Sequence, residues 1–555
     1  MTMRFSTIQG FLRSFFCIVF IIVLIFPYSQ SVISLVNASQ IKIQSGTSQD
    51  PILKRELKLN LGENRSYVNL SGAAFDGYNI FQLRDFVNQE YSFLITDMDG
   101  NIVNEFPSGA NYGFGHLINS TTFLLLSSQP IYLWNIETDK IVSIPSNSLH
   151  DISYNPFSNT FMTLSSYYID YFDLEKTTID TYRYDALCER NMAGEEIWRL
   201  NTSTFIPLDW WSGEFTGPNR DITHSNTAFW DIEEDIIYLN CRNINTFYKI
   251  DHATGEVLWG LGEHGDFTLF DHWGNKQQNL FYHAHAVEKV NDNTFILFDN
   301  DYRNKSDSDN HRSRILEITI DEMTMKAWIS WLWTGSDEYY TEYWGDADRL
   351  PNGNRFGTFG SKTHDATTIG PRLVEVDEVG NIVWEMYYKG GSLGIYQAER
   401  FRLSPILSSP QDRFLQTGDS IILSWQTWYN FRTKLKMNGS YTFFHNGNLT
   451  ATGNHVFDKF WRPTTLNFNV NSLEKGVHNF SLVVADEGGH TTVDTVLAYV
   501  DVLPPTTTST TTSNSTITST SSSVNTTNSV PAATTIIFLL GLGVRLFIQK
   551  KSKWK

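Results

Sequence analysis

Three histidines recur in a similar sequence context, each close to the start of a strand-like run. They are His150 in the segment LHD, His224 in THSN and His285 in FYHAHA. Imidazole has an ordinary pKa of about 6.5, so it can act as a nucleophile, a base or an acid near neutral pH. Arg242 follows His224 by 18 residues and adds a cation to the set. Because the context repeats, we expect these residues to converge on one site.

The chain has 14 histidines, and a lone histidine is more often structural than catalytic. Eight of them lack the repeated context and are interpreted as structural: His116, His252, His264, His272, His445, His455, His478 and His490. A metal site is an alternative for the third segment, since His283 and His285 share one face if the segment is a strand, and Asp299 follows nearby. This alternative predicts a zinc-dependent hydrolase.

The elements that must position these residues are short β-strands. Between residues 41 and 503 we find no long amphipathic helical pattern, and runs such as TFLLL, DIIYL and TFILF are rich in β-branched and aromatic residues. One hairpin recurs, with a Gly- or Asp-containing turn and a second strand that ends near a bulky residue. Its six instances span residues 97–106, 134–144, 191–200, 250–261, 318–331 and 376–386. This spacing favours an all-β, six-bladed β-propeller over residues 41–404, with an array of β-sandwiches as the alternative.

The pattern changes after residue 404. Five or more strand-like runs joined by Asn/Gly turns occupy residues 405–503 and predict an immunoglobulin-like β-sandwich. We expect this domain to be a spacer without chemistry of its own.

Both ends of the chain predict a cell-surface protein. Residues 1–38 hold an apolar run of signal-peptide length and read as a signal peptide or an N-terminal anchor. Residues 504–530 are a Ser/Thr-rich stalk, residues 531–549 an apolar membrane anchor and residues 550–555 a basic cytoplasmic tail. Eleven N-x-S/T sequons lie between the two apolar ends, which fits a glycosylated extracellular domain that carries the catalytic residues.

Composition narrows the functions further. The 555 residues carry a formal charge of −18, which argues against nucleic acid as a partner. The hydrophobic fraction of 41% excludes disorder for most of the chain. Three cysteines are too few for a disulfide scaffold, and Cys188 and Cys241 are either bridged or free. Oligomeric state is left open.

From about Leu149 to Arg400 the chain resembles the arylsulfotransferase (arylsulfate sulfotransferase) family. The resemblance rests on the segments THSN, TGEVLW, HAVEKV, LFDN, RLPNGN and YQAER, together with the Arg242 segment. It implies a six-bladed propeller that moves a sulfuryl group from an aryl sulfate to a phenolic acceptor. The reaction uses no nucleotide donor, cofactor or metal and proceeds in ping-pong fashion through a sulfohistidine.

The resemblance also assigns roles. His285 takes the place of the nucleophile, although Ala284 stands where the family has a glutamine. His224, Asn226 and Arg242 match the sulfate-holding residues, and His150 is a weaker match among the catalytic residues. His283 has no counterpart in the family and is expected to bind or orient the substrate.

These residue types suit sulfuryl transfer. The transition state is loose and its charge lies on oxygen atoms, so catalysis depends on positioning and on electrostatic stabilisation. Arg242 can direct two N–H groups at two sulfate oxygens, while a neutral histidine attacks the sulfur. Five aromatic residues in predicted loops either stack on aryl rings or pack in the core: Trp210, Trp211, Tyr340, Tyr343 and Trp344.

Two further functions remain alternatives. A quinone-dependent dehydrogenase shares the TGEVLW-type hairpin, but the chain has no adjacent cysteine pair. A non-catalytic surface propeller with an adhesive or binding role would leave the ordered His-Asn-Arg set without a purpose.

Overall fold

The computed structural model describes residues 66–108, 113–126, 130–173, 177–210, 220–302, 311–360, 370–389 and 392–502. The predicted signal peptide or N-terminal anchor, the stalk, the C-terminal anchor and the basic tail lie outside these residues. None of the helices in the described part of the chain is long and apolar enough to cross a membrane.

The all-β prediction is confirmed, because the described residues form strands and a few helical turns. The strands of the first half are β1 (Ser66–Leu70), β2 (Tyr78–Asp85), β3 (Glu90–Thr96), β4 (Ile102–Pro107), β5 (Phe114–Leu117), β6 (Thr122–Leu126), β7 (Ile131–Asn135), β8 (Lys140–Ile144), β9 (Ile152–Asn155), β10 (Thr160–Asp173), β11 (Thr178–Asn191), β12 (Glu196–Asn201), β13 (Arg220–Asp221), β14 (Ser225–Asp231), β15 (Ile236–Cys241), β16 (Thr246–Asp251) and β17 (Val257–Gly262). The strands of the second half are β18 (Thr268–Phe270), β19 (Lys276–Gln277), β20 (His285–Asn291), β21 (Thr294–Asp299), β22 (Arg314–Asp321), β23 (Lys326–Thr334), β24 (Asp346–Arg349), β25 (Arg355–Phe359), β26 (Arg372–Val376), β27 (Ile382–Tyr388), β28 (Leu393–Phe401), β29 (Ile406–Ser408), β30 (Arg413–Leu415), β31 (Ile421–Trp428), β32 (Met437–His445), β33 (Asn448–Phe457), β34 (Thr464–Val470), β35 (Gly476–Asp486) and β36 (Thr491–Val500). Four 3₁₀ turns complete the elements of the described residues: Thr202–Thr204, Leu208–Trp210, Arg242–Ile244 and Asp337–Tyr339.

The strands from β1 to β28 build six mainly antiparallel sheets within the described residues. Their strand orders are β28-β2-β3-β4, β5-β6-β7-β8, β12-β11-β10-β9 with β13 beside β11, β14-β15-β16-β17, β19-β18-β23-β22-β21-β20, and β1-β27-β26-β25-β24. The strands β28, β5, β9, β14, β20 and β24 each lie at one edge of their sheet and are called the edge strands below. Contacts join the edge strands β28 and β5, β9 and β14, β14 and β20, and β20 and β24. Strand β24 also contacts β28, so the last sheet lies against the first.

Two long-range pairings close this series. The edge strand of the first sheet comes from the end of the series, since β28 pairs antiparallel with β2 and places Phe401 opposite Tyr78. The last sheet in turn takes β1 on its outer side, with Ser66 opposite Tyr388. The two ends of the 66–401 segment are therefore held in each other's sheets. Closure of this kind leaves no long unpaired strand edge.

Buried aromatic residues fill the spaces between the sheets. Trp134, Trp230 and Trp384 are among the largest fully buried side chains of the described residues. Each indole N–H has an acceptor: Asp139 for Trp134, Asp235 for Trp230 and the Met98 carbonyl for Trp384. Burial of such a side chain stabilises the fold by about 1.5–3 kcal/mol or more.

The segment after β28 forms two further sheets, ordered β29-β31-β34 and β30-β36-β35-β32-β33. Trp425, Phe443 and Phe468 pack between them, the last two stacked with ring centroids 4.1 Å apart. The immunoglobulin-like assignment of residues 405–503 stays a prediction.

The loop between β31 and β32 reaches the edge strands of the six-sheet series. Lys434 Nζ donates to Ser153 Oγ on β9 at 2.8 Å. Arg432 donates to the Lys289 carbonyl on β20 at 2.6 Å and pairs with Glu288 on the same strand. A cavity of about 40 Å³ remains beside this loop. The C-terminal sheets are therefore joined to the rest of the described structure by inserted cations.

These cations meet a group of buried carboxyls. Burial raises the pKa of Asp151, and it raises those of Asp346 and Asp348 well above their ordinary range. Burial likewise raises the pKa of Glu399 to about 8, against the opposing charge of Lys434. Burial of the ammonium in turn lowers the pKa of Lys434, against Asp151 and Glu399. The ammonium therefore stabilises the fold where these carboxyls are ionised.

We predict that Lys434→Met lowers the free energy of unfolding by about 3 kcal/mol at pH 8. The loss should be smaller at pH 5, because carboxyls with raised pKa values are then protonated and have little need of the cation. Chemical denaturation at the two pH values measures both. Lys436→Met is the control: Lys436 lies two residues away, is 54% exposed and sits 3.9 Å from Glu233. Equal losses for Lys434→Met at pH 5 and pH 8 would contradict the charge argument.

Candidate active site

The histidines lie where the chain enters the edge strands of successive sheets. His150 comes just before β9, His224 just before β14, and His283 two residues before β20. Their backbones have φ angles of 59°, 43° and 57°, and Trp344 before β24 has φ 65°. Left-handed backbone at residues other than glycine is uncommon and is held in place only by the surrounding structure. Four successive strand entries share this conformation, which indicates a common role.

Carboxylates hold two of these entries in place. Asp151 accepts the backbone N–H of Ile152 and also that of Ala228 on β14, both at 2.7 Å. Asp346 does the same for Ala347 at 2.9 Å and for Ala398 on β28 at 3.3 Å. Each carboxylate thus begins one edge strand and ties it to another. These hydrogen bonds explain why a polar residue stands at the start of β9 and of β24.

The structure brings His150, His224 and His285 together. The rings of His150 and His224 are 4.8 Å apart, and Tyr396 lies 5.9 Å from His150 and 6.1 Å from His285. Arg242 is close enough to lower the pKa values of both His150 and His285. Residues from four sheets therefore meet at one place.

His285 is a buried, neutral imidazole. It is 3% exposed, and its Nδ1 lies 2.6 Å from Asn300 Oδ1. Burial, followed by the charge of Arg242, holds the pKa of His285 well below its ordinary range. Burial also depresses the pKa values of His150 and His283. A neutral imidazole keeps the lone pair that a nucleophile needs.

His224 has a different partner. Its Nδ1 lies 2.8 Å from Asp221 Oδ2, and Arg183 donates to the same carboxylate oxygen at 3.2 Å. Burial alone would raise the pKa of Asp221, but the hydrogen bond from His224 and the nearby charges lower it. The sequence reasoning did not single out Asp221, although it stands three residues before His224.

Arg242 lies in the 3₁₀ turn after β15 and is 2% exposed. One of its terminal N–H groups donates to Asn243 Oδ1 at 2.9 Å, and its guanidinium carbon lies 5.6 Å from the ring centroid of Tyr343. The turn therefore holds the guanidinium beside the three histidines.

The amide of Asn226 contacts protein groups on both sides. Its Nδ2 donates to the Ala284 carbonyl at 2.9 Å, and its Oδ1 accepts from Asn240 at 2.7 Å. These contacts favour a role in placing Ala284, and with it His285, over direct contact with a sulfate. The assignment of Asn226 to sulfate binding stays a prediction.

His283 begins a column of stacked rings. Its ring is 4.8 Å from Tyr302, which lies 6.2 Å from His311, and His311 lies 5.7 Å from Tyr340. Among the described residues no three His, Cys, Asp or Glu side chains converge as they would around a metal ion. The sequence reasoning did not identify His311 or Tyr302, because nothing in their spacing marks them.

The predicted aromatic residues fall into different surroundings. Trp210 stacks on His264 with centroids 4.5 Å apart, whereas Tyr343 lies at Arg242 and Trp344 packs against Phe86 and Tyr396. Trp211 lies outside the described residues. Tyr343 and Trp344 are therefore the two that border the histidine cluster.

Two residues of the cluster were missed. Arg84 on β2 is fully buried, and its guanidinium carbon lies 4.7 Å from the Trp344 ring and 5.5 Å from that of Tyr396. It precedes the segment on which the family resemblance rests, so no motif pointed to it. Tyr396 is 2% exposed, and its hydroxyl has no hydrogen-bond partner within the described structure.

Cys188 and Cys241 are both buried free thiols, which settles the alternative that the sequence left open. Burial raises both of their pKa values. Neither thiol is therefore poised to act as a nucleophile.

Comparison with known proteins gives one family and several distant structures. A family model described as Arylsulfotransferase (ASST) matches residues 79–397, more than half of the chain. No curated protein matches the chain.

The solved structures it resembles share little sequence with it. A CARDB domain from Pyrococcus furiosus is 11% identical, with a TM-score of 0.15, and the match covers 17% of this chain and 89% of that one. The extracellular domain of a hybrid two-component-system protein from B. thetaiotaomicron is 8% identical, with a TM-score of 0.29 and coverage of 78% and 57%. Alpha-2-macroglobulin from E. coli is 9% identical, with a TM-score of 0.16 and coverage of 79% and 40%. At these TM-scores the likenesses carry no argument about this chain.

Proposed function

Because the chain belongs to the arylsulfotransferase family, we propose that it transfers a sulfuryl group from an aryl sulfate to a phenolic acceptor through a covalent intermediate on His285. The observation that carries the proposal is a buried neutral imidazole beside a buried guanidinium, namely His285 beside Arg242. The six sheets of residues 66–401 are interpreted here as the blades of a six-bladed propeller whose edge strands surround the axis.

In the first half-reaction the imidazole of His285 attacks the sulfur of the aryl sulfate. An N–S bond forms, the S–O(aryl) bond breaks, and its electron pair leaves on the phenolate oxygen. Arg242 stabilises the charge on the sulfuryl oxygens, because two of its N–H groups can face them in parallel. In the second half-reaction the acceptor oxygen attacks the sulfur, and the N–S electron pair returns to His285.

Proton transfer falls to His224. Its carboxylate partner, Asp221, lies 2.8 Å from Nδ1 and orients the ring, so that the imidazole can pass a proton to the departing phenolate. The same imidazole then takes the proton of the incoming phenol. His150, whose ring is 4.8 Å away and which burial keeps neutral, is close enough to take part as a hydrogen-bonding group.

Aromatic rings border the cluster and suit an aryl substrate. Tyr343 lies at Arg242, and Trp344 packs on Arg84 and Tyr396. The column that runs from His283 to Tyr340 offers further ring faces at the same site. We assign His283 to substrate orientation, because its ring stacks on Tyr302.

We predict that the full chain, mixed with p-nitrophenyl sulfate and no acceptor, gains the mass of one sulfuryl group on the peptide that holds residues 281–287. His285→Ala should abolish the label and the turnover, since no neighbouring group can replace the imidazole at the sulfur. His283→Ala, matched in size and position, should still be labelled. Labelling should also survive a strong chelator, whereas loss of labelling that zinc restores would favour the metal-dependent hydrolase.

Label on the His285→Ala variant would overturn the assignment of the nucleophile. If the wild-type chain neither takes up label nor consumes any aryl sulfate, the non-catalytic surface propeller becomes the better explanation.

Arg242→Lys tests whether the buried guanidinium of Arg242 stabilises the sulfuryl oxygens. Lysine keeps the charge but loses the two parallel donors. We therefore expect a fall in kcat/KM that corresponds to a loss of about 2–4 kcal/mol of transition-state stabilisation. Steady-state kinetics measures the loss, and thermal unfolding should be unchanged. Arg199→Lys is the control, because Arg199 pairs with Glu196 outside the cluster. If Arg242→Lys kept the wild-type kcat/KM, the assignment of Arg242 to the sulfuryl oxygens would be wrong.

We further propose that the enzyme is anchored at the cell surface with residues 39–529 outside. The support is the sequence of the two ends: an apolar run at each, a Ser/Thr-rich stalk, and terminal lysines that favour the cytoplasmic side. Protease added to intact cells should release a soluble active fragment cut within residues 504–530. Protection of the whole chain until the cells are lysed would reverse this topology.

A further inference from the structure

We propose that Asn300 and Asp221 are positioning residues for two histidines with different roles. Asn300 fixes His285 as the imidazole with its proton on Nδ1 and its lone pair on Nε2, and Asp221 fixes His224 as the proton carrier. This inference rests on the proposed function. It adds the atom of His285 that attacks and the residue that selects this atom, and it compares the role of Asn300 at His285 with that of Asp221 at His224.

The orientation of the Asn300 amide is determined by its neighbours. Its Nδ2 donates to the carbonyl oxygens of Thr341 at 2.9 Å and Trp344 at 2.8 Å. A carbonyl oxygen only accepts, so the NH₂ end of the amide must face these two groups. The oxygen end then faces His285 Nδ1 at 2.6 Å.

It follows that His285 Nδ1 carries a proton, because the amide oxygen cannot donate one. A neutral imidazole has one N–H, so Nε2 of His285 holds the lone pair. A reversed amide would place its oxygen against two carbonyl oxygens and its NH₂ against an N–H. Because three hydrogen bonds would be lost together, the Asn300 amide keeps its orientation. This orientation in turn keeps the His285 tautomer.

The two carbonyls are themselves fixed by the loop before β24. The backbone N–H of Thr341 donates to Ser313 Oγ at 2.9 Å, and Gly345 donates to the Tyr396 carbonyl at 3.2 Å. Gly345 has φ 140°, and a Cβ there would lie 2.2 Å from Phe298. The loop therefore requires glycine at that position, and it holds the Trp344 carbonyl where Asn300 needs it.

His224 has a carboxylate where His285 has an amide. Asp221 also accepts the backbone N–H of His224 at 3.2 Å and the guanidinium of Arg183. A carboxylate stabilises imidazolium over imidazole by charge, which an amide does not. Other charged or titratable groups near the pair are His150, Asp185, His283 and His285. The ring of His150 is 4.8 Å from that of His224, Asp185 lies 3.6 Å from Arg183, and the two further histidines interact electrostatically with His224.

The proton and electron balance follows from these assignments. Nε2 of His285 supplies the pair that forms the N–S bond, and Nδ1 keeps its proton on Asn300, so the sulfurylated imidazole stays bonded to its partner. His224 gives a proton to the departing oxygen. In the second half-reaction the acceptor hydroxyl returns a proton to His224 as its oxygen bonds to sulfur.

The first test reads the tautomer directly and needs no turnover. In the wild-type chain labelled with ¹⁵N-histidine, His285 should show a protonated Nδ1 and an unprotonated Nε2 at pH 7, with the signals assigned by comparison with His285→Ala. In Asn300→Ala the preference should weaken and the two tautomers should both be populated. A His285 whose proton lies on Nε2 in the wild-type chain would overturn the proposal, whether or not Asn300→Ala folds.

The second test separates the two histidines by the leaving group. With p-nitrophenyl sulfate, whose phenolate leaves without help, Asp221→Asn should label within about threefold of the wild-type rate. With phenyl sulfate, whose leaving oxygen needs a proton, the same variant should be slower by about tenfold or more. Asn300→Ala should slow labelling by a similar factor with both donors, since it impairs the attacking atom.

Asn279→Ala is the matched control. Asn279 is a buried asparagine whose Nδ2 donates to the Phe281 carbonyl at 2.5 Å, and within the described residues its side chain has no hydrogen bond to a histidine. It should label at the wild-type rate and keep the His285 tautomer. If Asp221→Asn slowed labelling equally with both donors, the assignment of His224 as the proton carrier would be wrong. A wild-type chain that shows the expected tautomer but takes no label would defeat the proposed function and leave the tautomer assignment standing.

Discussion

The carboxyls buried along the edge strands need a nearby positive charge when they are ionised. In the described structure this charge comes from a segment that lies outside the six sheets. Asp151, Asp346, Asp348 and Glu399 all have raised pKa values, because burial penalises their ionised forms. Lys434 comes from the loop between β31 and β32 and opposes that shift at Glu399. Asp151 and Asp346 also open edge strands, so charge balance and strand position depend on the same groups. The C-terminal sheets are thus part of the electrostatic balance of the six sheets, which the prediction of a spacer without chemistry did not include.

The histidine cluster differs from this group of buried carboxyls because its buried charges are positive. Arg242 is buried beside imidazoles that burial keeps neutral, and Arg84 is buried beside Tyr396, so the cluster is prepared for an anion. His150 and Asp151 are consecutive residues, and yet one belongs to the cationic cluster and the other to the acidic group. The positive φ of His150 accompanies this change of surroundings within one peptide unit. At this strand entry, left-handed backbone and the separation of charge therefore occur together.

Much of the architecture could be predicted from the sequence, and the site only in part. Alternating apolar residues and recurrent hairpins are local signals, and they identified an all-β chain and the histidines that begin strands. Asn300 and Asp221 could not be found in this way, because their meaning depends on which atom of a partner they face. Asn300, for example, owes its orientation to two backbone carbonyls more than 40 residues away.

Other residues escaped for a different reason. Arg84 reaches the cluster through the pairing of β2 with β28, which joins distant parts of the chain. Lys434 reaches β9 from a segment that follows the last of the six sheets. His283 shares the left-handed backbone of His150 and His224, although the sequence context pointed to His285 as their equivalent. Spacing along the chain does not report conformation, so this difference became visible only in three dimensions.

The pairing of β2 with β28 also has a consequence for the timing of folding during synthesis. Strand β2 ends at Asp85, and its partner is complete only at Phe401. At a ribosomal rate of about 5–20 residues per second, the first sheet waits roughly 15–60 s for its edge strand. During that interval β2 presents unpaired backbone groups and apolar side chains to the surroundings, where they can pair with other chains. A nascent chain of this kind has to be kept apart from its neighbours until its last sheets emerge, and early truncation products should be among its most aggregation-prone forms.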